Sequence, residues 1–79
     1  MLRGEQIKRW WLYIVEDGEN LQVGVTTDLG NRLNQRGYPA LAYKEGPFER
    51  SEVFRRERQI KGWSRHKKRE FIKKSTSQQ

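Results

Sequence analysis

The sequence predicts a small α+β domain, a three-stranded antiparallel sheet with flanking helices in the order β-β-α-β-α-α. Two patterns point there. An aromatic and β-branched run at 10–15 is followed, across turn residues, by an alternating segment at 21–25. Farther on, helix start and stop residues bracket apolar positions spaced by three and four. Length limits the answer: 79 residues with 33% hydrophobic content allow one thin core and no second domain.

Residues 1–9 read as a polar N-terminal arm, the domain as 10–74, and residues 75–79 as a disordered polar tail. Trp10 to Val15 suits a strand buried on both faces. Glu16 to Asn20 is turn chemistry, and Leu21 to Val25 alternates large apolar with small or polar residues, so the two segments form a hairpin. A connection over 17–20 puts Tyr13 and Val15 on one face with Gln22 and Gly24. Leu12, Ile14, Leu21 and Val23 then face the core, a better separation than a one-residue slip gives.

Thr27 or Asp28 caps a first helix running to about Arg36, with Gly37 as its stop and Leu29 and Leu33 as its apolar stripe. Ala40 to Tyr43 is a short third strand, and Lys44 to Pro47 a turn. Ser51 caps a second helix that ends at Lys61 before Gly62. Ser64 caps a third, which ends near Lys74.

Composition excludes several classes. No cysteine and one histidine remove disulfides and a structural zinc site. The longest apolar run is too short to span a membrane and the first residues are polar, so a soluble, cytoplasmic protein without a membrane partner is expected. The net charge of +7 is local: residues 50–74 hold eleven Lys/Arg against three Glu, and the rest of the chain sums to −1. That distribution suits a polyanion-binding surface. Within it, Glu57 shares a helical face with Val53, Phe54 and Ile60, an unusual place for a carboxylate. Arg65, His66 and Lys67 fill the first turn of the third helix, where cations oppose the macrodipole unless an anion sits before them.

Three segments resemble the small stand-alone branch of the GIY-YIG nuclease family. Trp11-Leu12-Tyr13-Ile14 stands at the first motif, Gln22 to Leu33 at the second motif and following helix, and Arg50 to Arg65 at the terminal segment. The resemblance implies a DNA endonuclease that hydrolyses phosphodiesters with a single Mg2+ (or Mn2+) held by Glu57. It implies that Arg32 holds the scissile phosphate and that Tyr13 assists in activating the attacking water. Mg2+ keeps most of its waters, so one carboxylate suffices, and a guanidinium forks onto phosphate as Lys cannot. Gln22, Arg36, Arg55, Lys61, Arg65, Lys67 and Lys68 are the candidate nucleic-acid contacts.

The chain departs from the family in three places. Gln22 stands where the second motif has Tyr, Arg36 where a His or Tyr is frequent, and only Gly37-Tyr38-Pro39 remains of a longer loop. Gln is no general base at ordinary pH. Two functions therefore remain open: an endonuclease with impaired cleavage, or a catalytically inactive nucleic-acid-binding or interaction module on the same fold.

Overall fold

The Leu-Tyr-Ile-Val half of the first apolar run lies in the middle of the sheet, buried on both faces as expected. The computed structural model describes residues 9–35, 37 and 40–77. In it, β1 (Trp10–Asp17) lies between β2 (Asn20–Thr26) and β3 (Ala40–Phe48), antiparallel to each. Helices α1 (Leu29–Gln35), α2 (Arg50–Lys61) and α3 (Arg65–Ser77) complete the order β-β-α-β-α-α. The α+β class and element order are those the sequence predicts. Apart from Arg9, the arm expected at 1–9 lies outside the described residues.

The hairpin adopts the register that separates apolar from polar. Leu12 pairs with Val25 and Ile14 with Val23 on one face; Tyr13 pairs with Gly24 and Val15 with Gln22 on the other. Pairing continues to Asp17 and Asn20, so the turn is Gly18-Glu19, with Gly18 at φ +66°. Gly24 is required by close approach: a Cβ there would stand 2.5 Å from Tyr13 Cζ. The Tyr13 ring therefore lies across β2, with its hydroxyl carried away from the central strand.

The third strand is longer than expected. Lys44 to Pro47 do not close it; β3 runs on to Phe48, which pairs with Trp10. Register shifts in the β1–β3 pairing absorb the turn-forming residues into the strand. An edge strand tolerates Pro47, and Gly46 permits close approach, since a Cβ on it would meet the Trp10 carbonyl oxygen at 2.8 Å.

Asp28 is the cap of α1: its carboxylate accepts from Asn31 N at 3.2 Å and its carbonyl from Arg32 N at 3.0 Å. Gly37, at φ +80°, follows this helix and donates its N–H to the Asn34 carbonyl at 3.1 Å. Ser51 is not the cap of α2. The helix starts at Arg50 after Glu49, whose N–H donates to the Glu52 carboxylate at 3.2 Å; an acid at each of these two positions forms the cap two residues earlier. Ser64 does cap α3, accepting from Lys67 N at 3.1 Å. The tail expected at 75–79 is in fact helical to Ser77, and Ser75 Oγ donates to the Phe71 carbonyl at 3.0 Å. Ser and Thr are poor helix formers but tolerable in a last turn.

The core is built where α2 meets the first face of the sheet. Leu12, Ile14, Val53 and Ile60 are fully buried together, with Val23, Val25, Tyr43, Trp63 and Ile72 packed around them. Each such aliphatic side chain contributes about 1.5–3 kcal/mol. Tyr13 and Val15 are nearly as inaccessible on the second face. Among the described residues no helix is long and apolar enough to cross a membrane.

Candidate nucleic-acid and metal site

The inward side of α2 carries Val53 and Ile60, and Glu57 lies one turn from each. Its side chain is only 17% exposed, and its Oε2 stands 3.1 Å from Lys61 Nζ, on a side chain that is 56% exposed. The carboxylate is thus set against the core while its cation extends into solvent. An i,i+4 pair of this kind is worth about 0.3–0.5 kcal/mol, too little to explain why a core-facing position holds an acid.

Arg56, the preceding residue, has an unrelated task. Its Nε and Nη2 donate to Glu45 Oε2 and Oε1 at 2.9 and 3.2 Å, and its Nη1 to Gln59 Oε1 at 2.9 Å. The guanidinium lies 5.8 Å from the Trp63 ring and 5.6 Å from the Phe71 ring. Tyr43 donates its hydroxyl to the same Glu45 and meets Phe71 edge-on at 4.9 Å. Burial, and then the hydrogen bond to Glu45, push the Tyr43 hydroxyl up to about 12. This clasp joins β3, α2 and α3. Reading Lys44 to Pro47 as a turn hid it, because the turn removed Glu45 from the sheet face where Arg56 reaches it.

The other expected site residues are distributed over several elements. Arg32 is half-buried on α1, just beyond the end of β2. Tyr13 is 2% exposed. It shares the second sheet face with Gln22, which donates to Asp17 Oδ2 at 2.8 Å. Since α2 packs on the first face, through Leu12 and Ile14, the structure does not bring Tyr13 and Glu57 to a common face. Arg55 is exposed on the outer side of α2. Arg65 stands 4.0 Å from Glu19 in an exposed pair, Lys67 Nζ is 4.7 Å from the Trp63 ring, and Lys68 is half-buried. Arg36 lies outside the described residues. Trp63, in the turn between the last two helices, packs edge-on against Phe71 at 5.1 Å.

Among the described residues no three His, Cys, Asp or Glu side chains gather to hold a metal ion. Glu57 alone fits a hard cation, one that takes its remaining ligands from water and phosphate. Lys61, which pairs with its Oε2, has a long, exposed side chain that can yield to such an ion.

Comparisons with protein-family models, with curated proteins and with solved structures find no match to this chain.

Proposed function

We propose that this protein is a DNA endonuclease of the GIY-YIG type, dependent on a divalent metal and slowed by Gln22 at the second-motif tyrosine position. The observation that carries this reading is Glu57, a largely buried carboxylate facing the core from a strongly basic helix, with only a weak ion pair to account for it. The element order and the resemblance of Arg50 to Arg65 to the family's terminal segment support it. Glu57 would hold one Mg2+ or Mn2+. Such an ion, when bound, stabilises charge developing on the leaving oxygen and acidifies water. Arg32 supplies forked hydrogen bonds to the scissile phosphate. The basic groups of α2 and α3 supply affinity that falls with salt.

Tyr13 reaches outward across Gly24 on one face, and Glu57 descends from α2 on the other. This reading therefore needs a phosphate that reaches both faces around the outer edge of β2, an edge strand whose end leads into α1 and Arg32. That edge is where this reading puts the phosphate.

A binding or interaction module without cleavage is the second reading. It is favoured by one observation: Tyr13 is buried and Gln22 engaged with Asp17 on the face away from α2.

A nicking assay on branched and duplex DNA with Mg2+ or Mn2+, run beside Glu57→Ala, decides between them. Cleavage lost in the variant supports the enzyme. Salt-sensitive binding by both proteins with no cutting rejects it.

A further inference from the structure

Phe54 sits on α2 where the core does not need it. It is 36% exposed, although its ring touches Trp10 with centroids 5.3 Å apart and planes tilted by 58°. The Arg50 guanidinium stands 5.6 Å from its centroid. Steps of three and four residues put Arg50, Phe54, Glu57 and Lys61 along one side of α2. A partly exposed aromatic ring, tilted against a second ring and carrying a guanidinium near its face, therefore lies one turn from the Glu57–Lys61 pair.

We propose that Phe54, supported by Trp10, is a stacking platform for an unpaired nucleobase, with Arg50 and Lys61 meeting the phosphates on either side. This rests on the nucleic-acid reading above and names its substrate class, DNA with unpaired bases such as forks and branches. In continuous duplex both faces of each base are covered by its neighbours, and a protein ring has nothing to stack on. An unpaired base offers a free face, and every base has one, so the contact is tolerant of sequence. Charge selects this occupant over others. Residues 50–74 carry a net +8, which attracts a polyanion and repels a second copy of the same surface.

The test measures binding in chelator, so that cutting does not interfere. Anisotropy compares a forked DNA with short unpaired arms, the same fork with abasic arms, and a blunt duplex of equal charge. The intact protein prefers the fork by about tenfold. Phe54→Leu, which keeps an apolar side chain but has no aromatic face, binds fork and duplex alike, whereas Phe54→Trp keeps the preference. Abasic arms remove it. Equal binding of fork and duplex by the intact protein overturns the proposal, as does a preference that survives Phe54→Leu or abasic arms. Fork preference without cleavage by the intact protein in Mg2+ rejects the nuclease and leaves the platform standing. Cleavage without fork preference rejects the platform alone, and no DNA binding at low salt rejects both.

Discussion

Arg56 and Glu45, eleven residues apart, meet through a two-point contact, Nε to Oε2 at 2.9 Å and Nη2 to Oε1 at 3.2 Å, and both side chains are about a quarter exposed or less. The guanidinium is flat, forked and stacked near two aromatic rings, and each of these properties is specific to Arg. Arg56→Lys keeps the charge and loses the fork and the stacking. A destabilisation of about 1–3 kcal/mol is expected, read as a lower urea midpoint with unchanged slope. An unaltered midpoint would show the clasp to be incidental.

Tyr43 gives the clasp a pH signature. Its folded-state value of about 12 lies above the ordinary 10.0, so the folded protein holds this proton more tightly than the unfolded chain. The associated stability is complete below pH 10 and is lost as pH rises toward 12. Tyr43→Phe flattens that part of the stability curve. It also removes a tyrosinate component that titrates toward pH 12, and a titration identical to the parent's contradicts the assignment.

At Gly24, substitution to Ala places a Cβ 2.5 Å from Tyr13 Cζ, inside any real carbon–carbon contact. The ring of a buried residue must shift, at a cost of about 1–3 kcal/mol. Combining Gly24→Ala with Tyr13→Leu recovers part of that loss in thermal melts. Additive losses in the double variant would mean that the two positions are not in conflict.

Glu57→Gln separates chemistry from folding. The lost pair with Lys61 is worth no more than about 0.5 kcal/mol, so the melting temperature stays near the parent's. Salt-dependent DNA binding is retained or tightened, because a negative charge leaves the basic patch. Metal-dependent nicking disappears. A variant that nicks as fast as the parent would show that the carboxylate is not used.

Arg32→Ala is expected to lower the nicking rate more than the affinity, because the affinity is spread over many cations of α2 and α3 while the scissile phosphate is held at one point. An unchanged rate removes Arg32 from the site.

The strand register was legible because alternation leaves one arrangement that buries Leu12, Ile14 and Val23 together, and that arrangement is observed. Ser64 was legible as a cap, and the cap of α1 was legible to within Thr27 or Asp28, because such acceptors act within a turn of themselves. The extension of β3 was not. Gly46 and Pro47 have the same local preferences in a turn as in a bulged edge strand, and the decision comes from pairing with β1, far away in sequence. The clasp was lost with it. At the candidate site, the placement of Glu57 against the core followed from helical spacing alone. The separation of Tyr13 from it depends on which sheet face α2 covers, a tertiary choice that spacing in either segment leaves open.

The clasp has a further consequence for α2. Successive residues on a helix are turned by about 100°, so a side chain fixed at one position sets the azimuth of every other. Arg56, pinned to Glu45 on the strand and braced by Trp63 and by Phe71 of α3, indexes α2 about its own axis. Glu57, Phe54 and Lys61 are aimed by that setting and contribute little to it. An altered clasp would leave their chemistry intact and point it elsewhere.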